Sequence, residues 1–139
     1  MPYKLEPEFG YVLLLAASTV LMNLWHMLKI GSLRKKYSIK YPQMTSEKHM
    51  DFTCAQRAHQ NTLENIPFFL FTLLTGGVRH SWWAAVFGAI WIVSRIVYSL
   101  GYYSGKPEKR TPGAIGGFAS LFLLTALSVS TGAGILGLW

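Results

Sequence analysis

Polar and apolar positions along this chain fall into long blocks rather than short repeats. Four blocks are mostly apolar, and each is long enough for a transmembrane helix, which needs about 20 residues to cross a hydrocarbon core of about 30 Å. They run from Tyr11 to Ile30, Asp51 to Leu74, Ser81 to Tyr103 and Gly113 to Leu138. The pattern predicts an all-α integral membrane protein, with residues 1–139 forming one domain as a bundle of four transmembrane helices.

Short polar segments separate these blocks and contain the glycine and proline residues that commonly end helices or form turns. Gly76 and Gly77 end the second helix, and Pro107 and Pro112 mark the third connection. The fourth helix is rich in Gly, Ala, Ser and Thr, which allow membrane helices to pack closely. Met1 to Gly10 lacks the basic start of a signal peptide, so we expect the first helix to be retained.

The net charge of +7 is concentrated at two of the three connections. The second connection carries only Arg79 and His80, whereas the first and third carry Lys29, Arg34, Lys35, Lys36, Lys40, Lys48, Lys106, Lys109 and Arg110. Because basic loops stay in the cytosol, this asymmetry places the first and third connections there and both termini on the other side. Membrane topology explains the basic charge without nucleic acid binding.

The second helix contains ionisable and amide side chains that are costly inside a membrane and therefore indicate function. Arg57, Gln60, Asn61 and Glu64 share one face at helical spacing, and we call this set the polar face of helix two. His59 points nearly the opposite way. It is interpreted either as a packed residue or as a contact across a subunit interface.

The third helix presents Arg95, Tyr98 and Tyr102 on one face. Counted from the turn near Arg79, these residues match the depths of Glu64, Asn61 and Arg57, so the two faces are expected to meet. One hypothesis is a ligand site of mixed charge, with Arg57 binding a carboxylate and Glu64 an ammonium. The alternative is a self-satisfied network in which Glu64 pairs with Arg95. Two arginines against one carboxylate favour an anionic ligand.

Other catalytic patterns are lacking in the sequence. Cys54 is the lone cysteine, so there is no internal disulfide and no cysteine-based metal cluster. We find no metal-ligand spacing, no serine or cysteine nucleophile beside a base, and no phosphate-binding glycine loop.

Two motifs carry a resemblance to a known family. Residues 56–64 read QRAHQNTLE, and residues 95–103 read RIVYSLGYY and lead into GKPEKR at 105–110. These strings resemble the helix-two and helix-three signatures of the MAPEG family, the membrane-associated proteins in eicosanoid and glutathione metabolism. The resemblance covers nearly the whole chain, from Phe9 to the fourth helix.

The resemblance implies a homotrimer that binds glutathione between adjacent subunits near the cytosolic side, without a metal. It assigns glutathione contacts to one list of positions: Arg34, Arg57, His59, Asn61, Glu64, Arg95, Tyr98 and Tyr102. An arginine stabilises the glutathione thiolate in the family, and Arg110 is the expected residue here, with Lys109 as the alternative. Arg34 and His59 are expected to reach the ligand of a neighbouring subunit.

The implied activity is glutathione transfer to a lipophilic electrophile, reduction of a lipid hydroperoxide, or both. Lys35 replaces an arginine of leukotriene C4 synthase and Asn65 replaces a tyrosine, so efficient leukotriene C4 synthesis is in doubt. The alternative function is a non-catalytic lipid-binding helper of the lipoxygenase-activating type. The implied location is the endoplasmic reticulum membrane, with the mitochondrial outer membrane as the alternative.

Overall fold

The computed structural model describes residues 4–139, which form a bundle of four α-helices. Helix α1 spans Phe9–Tyr37, α2 spans Met50–Gly77, α3 spans Ser81–Tyr103 and α4 spans Thr111–Ile135, while a short 3₁₀ helix covers Pro107–Arg110. No β-strand occurs among these described residues. The prediction of an all-α bundle with four helices is confirmed.

Helix α1 continues past Ile30, the predicted end, and includes Arg34. A glycine inside a helix costs only about 1 kcal/mol relative to alanine, so Gly31 does not stop a helix that goes on through leucine, arginine and lysine. The helix ends at Tyr37, and the left-handed backbone of Ser38 (φ 54°) turns the chain so that the N–H of Ile39 donates to the carbonyl oxygen of Arg34 at 3.0 Å. Arg34 therefore lies on a helix and not in a loop.

Three helical segments are long and apolar enough to cross a membrane: Phe9–Tyr37, Ser81–Tyr103 and Pro107–Ile135. Helix α2 has 28 residues, which is sufficient length, but it does not reach the same apolarity. Its first half is interrupted by charged and amide side chains, including Arg57, Asn61 and Glu64. The one helix that departs from a simple membrane-spanning composition is the one that carries the predicted site.

One apolar core cluster lies in the half of the bundle nearest the turn between α2 and α3, and a second, which includes Leu33 and Phe52, lies beside the first connection. In the cluster near the turn, Phe69 and Trp91 stack with ring centroids 3.9 Å apart, and Val12 and Leu73 pack in the same fully buried cluster. The cluster near the turn uses the second half of α2 and the first half of α3. The polar residues of these two helices are left to the other half, beside the first and third connections.

Helices α3 and α4 come into backbone contact at Gly113. A Cβ atom there would lie 2.2 Å from the backbone nitrogen of Tyr98 and 2.5 Å from the carbonyl oxygen of Ser94. Only glycine allows two helices to approach this closely. The contact holds the start of α4, and the 3₁₀ helix before it, against the polar part of α3.

Candidate functional site

A pocket of 280 Å³ opens between α2, α3 and α4 in the polar half of the bundle. Its lining combines two arginines and other hydrogen-bonding groups with an apolar wall, and includes Asn61, Asn65, Arg95, Tyr98, Arg110, Trp91, Phe118 and Leu121. Concave sites with a few converging polar groups and apolar walls are typical of small-molecule binding. The pocket suits a ligand, or a pair of ligands, with both anionic and apolar parts.

Arg95 is enclosed at the back of this pocket, with only 5% of its surface exposed. Its Nη2 atom donates to Asn61 Oδ1 at 2.9 Å and to Thr62 Oγ1 at 2.8 Å. The centre of the Tyr98 ring lies 4.1 Å from its guanidinium carbon. Its Nε atom is buried and has no hydrogen-bond partner among residues 4–139. An unpaired buried donor is unfavourable, so a ligand oxygen that accepted this bond would be stabilised.

The alternative in which Glu64 pairs with Arg95 is wrong, because Arg95 bonds to Asn61 and Thr62 while Glu64 is exposed. The physical reason is the rotation of α2 about its own axis. Ala58 and Thr62, both fully buried, form the contact with α3, and their small side chains let the two helices approach. Glu64 is thereby turned out of the contact between α2 and α3.

The polar face of helix two therefore meets α3 only through Asn61. Arg57 and Gln60 are exposed like Glu64, and Arg57 Nη1 donates to Gln60 Oε1 at 2.8 Å. The depth matching predicted Asn61 beside Tyr98, whereas it is Arg95 that reaches Asn61. Of the residues predicted from the two helices, the pocket includes Asn61, Arg95 and Tyr98, and it leaves Arg57 and Glu64 on the outer surface.

Arg110 lies at the rim of the pocket, at the end of the 3₁₀ helix. Its Nη1 atom donates to the hydroxyl of Tyr102 at 2.6 Å, and its guanidinium carbon lies 5.1 Å from the centre of that ring. Tyr102 in turn packs edge to face on Tyr98, with ring centroids 5.3 Å apart. Tyr98 lines the pocket, whereas Tyr102 is buried and does not line it. The two tyrosines thus link Arg110 to Arg95, and both arginines line the same pocket.

Gly101 determines how closely the third connection lies against α3. A Cβ atom on Gly101 would be 2.2 Å from the carbonyl oxygen of Lys109 and 3.0 Å from the backbone nitrogen of Arg110. The Lys109 side chain is exposed and does not line the pocket. Of the two basic residues considered for the thiolate, Arg110 is the one whose side chain lines the pocket.

Arg34 and His59 line a separate cavity of 390 Å³ between α1, α2 and the first connection. Arg34 is buried, its Nη1 donates weakly to the carbonyl oxygen of Lys40 at 3.4 Å, and the Tyr41 ring centre lies 4.1 Å from its guanidinium carbon. Its Nε atom is buried without a hydrogen-bond partner in the described part of the chain. These two predicted residues are together, but not in the pocket that holds Arg95 and Arg110.

A buried polar cluster around His26 lies behind this second cavity, and the sequence pattern did not predict it. His26 is fully buried, and its Nδ1 and Nε2 atoms bond to the Tyr103 hydroxyl at 2.5 Å and to Ser99 Oγ at 3.2 Å. His59 stacks on it, and His59 Nε2 bonds to Asn23 Oδ1 at 2.7 Å. The spacing of Asn23 and His26 on one face of α1 was the available signal.

A sequence profile of the MAPEG family matches residues 12–130, which is most of the chain. The chain belongs to the MAPEG family. This membership, together with the three long apolar segments, establishes a multi-pass membrane protein. Residues 12–130 of this MAPEG chain include both the pocket and the cavity lined by Arg34 and His59.

Relatives of this MAPEG chain come from bacteria and mammals. It is 33% identical over 128 residues to microsomal glutathione S-transferase 2 of Homo sapiens, covering 87% of this chain and 85% of the relative. It is 33% identical over 122 residues to the Bos taurus protein of the same name, covering 85% and 82%. An uncharacterized protein of Synechocystis is 31% identical over 126 residues, with 90% of each chain covered.

The named relatives can be compared with a prediction, made from the motifs, of which member of the family this chain resembles most. The strings at 56–64 and 95–103 also predict a particular similarity to microsomal glutathione S-transferase 3. The named mammalian relatives are type 2 enzymes, so similarity to the type 3 branch stays a prediction.

Proposed function

We propose that this chain is a membrane-bound glutathione S-transferase that conjugates glutathione to lipophilic electrophiles. The observation that carries the proposal is the pairing, in one pocket, of two arginines with an apolar wall. The 31–33% identity to relatives that include proteins named microsomal glutathione S-transferase 2 adds support. The anionic co-substrate faces Arg95 and Arg110, and the lipophilic one lies along Trp91 and Phe118.

The proposed chemistry begins with the thiol of glutathione. A free thiol has a pKa of about 8.5, and a nearby cation lowers that pKa and increases the thiolate fraction at neutral pH. Arg110 is the proposed cation. The sulfur then attacks an electrophilic carbon and forms a C–S bond. A halide leaves with the bonding electrons, or an opened epoxide oxygen takes up a proton.

A second proposed activity uses the same thiolate on a lipid hydroperoxide. The sulfur attacks the terminal peroxide oxygen, the lipid leaves as an alcohol after protonation, and a second glutathione converts the sulfenic intermediate to a disulfide and water. Neither proposed reaction requires a metal ion or a cofactor in addition to glutathione. Leukotriene C4 synthase-like activity would instead follow the conjugation steps: the thiolate attacks a carbon of an unsaturated epoxide, the C–O bond breaks, and the released oxygen takes up a proton.

We propose a homotrimer in which each glutathione lies between adjacent subunits. Arg57 and Glu64 are exposed beyond the pocket of one subunit, while Arg34 and His59 line a different cavity. In the proposed trimer, two copies of the chain together supply the contacts from these four residues and from the pocket to one ligand. In this arrangement the pocket of one subunit faces the Arg34 cavity of the next.

The proposed function is tested with purified protein in detergent, assayed with glutathione against three substrates side by side: an aryl chloride, a lipid hydroperoxide and a fatty epoxide. We expect turnover of at least the aryl chloride. Turnover of the hydroperoxide would show peroxidase activity, and turnover of the epoxide would show leukotriene C4 synthase-like activity. If none of the three is turned over while glutathione and lipid still bind, the non-catalytic helper function replaces the enzyme.

Arg57→Ala is expected to weaken glutathione binding about tenfold or more, because an arginine–carboxylate contact contributes about 1.5–3 kcal/mol. Isothermal titration calorimetry with glutathione measures the effect. Arg79→Ala is the matched control, since it removes the same charge from an exposed arginine in the second connection, at the other end of the bundle, and should leave the dissociation constant unchanged. An unaltered dissociation constant in Arg57→Ala would remove this residue from the site.

We propose that the first and third connections face the cytosol, in the endoplasmic reticulum or the mitochondrial outer membrane. Lys40 is exposed in the first connection, and Cys54 is buried, so Cys54→Ala provides a thiol-free background. In that background, Lys40→Cys should react with a membrane-impermeant maleimide from the cytosolic side, and Leu138→Cys only after the membrane is permeabilised. The reverse pattern would invert the topology.

A further inference from the structure

The buried cluster around His26 has no part in the chemistry proposed above. It joins three helices: Asn23 and His26 come from α1, His59 comes from α2, and Ser99 and Tyr103 come from α3. Buried polar groups in an apolar setting are costly unless they are hydrogen-bonded, so the bonds made within this cluster indicate a defined arrangement of side chains.

His26 is held on both of its ring nitrogens. A neutral imidazole offers one donor and one acceptor, and the Tyr103 hydroxyl and Ser99 Oγ occupy both positions. The ring is also fully buried, so it cannot turn without losing both bonds. The imidazole ring of His26 is therefore held in one orientation, and it fixes the position of a side chain that stacks on it.

The residue that packs against it is His59. The two imidazole rings stack with centroids 5.3 Å apart and an angle of 16° between their planes. The Nε2 atom of His59 lies 2.7 Å from Asn23 Oδ1, which is an acceptor, so Nε2 carries the hydrogen and donates it. In the neutral ring Nδ1 then keeps its lone pair and acts as an acceptor.

We propose that His26 is a positioning residue for glutathione binding: it fixes the ring of His59, and Asn23 fixes its tautomer, so that Nδ1 of His59 accepts a hydrogen bond from an N–H group of glutathione. The inference rests on the proposed function. It differs from a charge-based site, because His59 contributes an acceptor. In the same cavity Arg34, with its buried unpaired Nε, supplies the donor for a carboxylate.

An acceptor from His59 and a donor from Arg34 together match the hydrogen-bonding groups of glutathione. Glutathione has amide N–H groups and an ammonium beside its carboxylates, so a binding surface needs acceptors as well as cations. In the described residues, Nδ1 of His59 makes no hydrogen bond, while its ring lines the cavity. Since neither His26 nor Asn23 lines that cavity, both act only through His59.

The test measures the dissociation constant of glutathione by calorimetry, and KM and kcat by steady-state kinetics. The proteins compared are the wild type, three single variants and one double variant: His26→Leu, Asn23→Leu, His59→Ala and His26→Leu/His59→Ala. In each single variant we expect the dissociation constant and KM for glutathione to rise about fivefold to tenfold, the usual effect of one lost hydrogen bond, with kcat changed less than twofold. The double variant should be no weaker than His59→Ala, because His26 acts through His59. Asn23→Leu tests the same route if His26→Leu fails to fold.

His80→Gln is the matched control at the other end of the bundle, where His80 Nε2 bonds to Ser130 Oγ at 2.7 Å, and it should leave glutathione affinity unchanged. Unchanged affinity in His26→Leu and Asn23→Leu would overturn the positioning role, as would a further loss in the double variant. Failure of wild type to bind glutathione would instead overturn the proposed function, and the inference with it.

Discussion

Arg110→Ala is expected to lower kcat/KM for glutathione conjugation by about 10²- to 10³-fold, the effect of removing one preorganised group that stabilises developing negative charge. Arg110 lines the pocket and has its guanidinium held by the hydroxyl of Tyr102, so its position is set before the ligand arrives. We expect a thiolate absorbance when glutathione binds to the wild type, and we expect it to be absent in the same variant. Native mass spectrometry should show an unchanged oligomer, because Arg110 is exposed at the rim.

Lys109→Ala is the control for this experiment. It removes the same charge one residue earlier, from a side chain that does not line the pocket. We expect kcat to change less than twofold, with any effect on KM reduced by salt, because exposed charges are screened. Unchanged turnover in Arg110→Ala would remove Arg110 from the mechanism. A large loss confined to Lys109→Ala would transfer the thiolate role to Lys109.

Gly101→Ala is expected to reduce kcat about 100-fold although Gly101 does not line the pocket. Its new Cβ atom would meet the carbonyl oxygen of Lys109 at 2.2 Å, and two backbones cannot adjust as a flexible side chain does. The 3₁₀ helix must then move by about 1 Å, and a displacement of that size at a catalytic group costs about 10²-fold. Stopped-flow measurement of thiolate formation would locate the loss at the step that uses Arg110.

Gly31→Ala is the matched control for that substitution. Gly31 lies inside α1 and a Cβ atom there meets nothing within 4 Å, so alanine should raise helix stability by about 1 kcal/mol and leave turnover unchanged. The thermal midpoint of each variant separates displacement from unfolding. If Gly101→Ala retained full activity, the third connection would not depend on this close contact for its position.

The sequence predicted the helices well because the length of an apolar segment and a glycine at its end are both local properties of the chain. It did not predict the orientation of α2. Periodicity shows that Arg57, Asn61 and Glu64 share a face, but not what that face contacts. The contact with α3 is decided by the small residues Ala58 and Thr62, so Asn61 reaches Arg95 while Glu64 stays exposed. Side-chain size on the neighbouring face was the missing signal.

The site was only partly predictable for a similar reason. Arg95 and Tyr98 followed from their spacing, and Arg110 from the resemblance, because each is tied to a motif. The cluster around His26 brings together residues that are far apart in the chain, such as His26 and Ser99. Ser99 lies within the helix-three motif, but no motif marks Asn23 or His26. Three separate helices must pack before these side chains can meet, so a pattern read along one helix cannot show the cluster.

The modest apolarity of α2 has a consequence for how the protein enters a membrane. A charged side chain near the centre of a membrane helix costs about 2.5–3.5 kcal/mol on insertion, so α2 is a poor substrate for insertion on its own. Only Val78, Arg79 and His80 separate it from the apolar α3. We therefore expect the two helices to leave the translocation machinery as a hairpin, already paired through Arg95 and Thr62. The ligand pocket would then begin to form during biosynthesis.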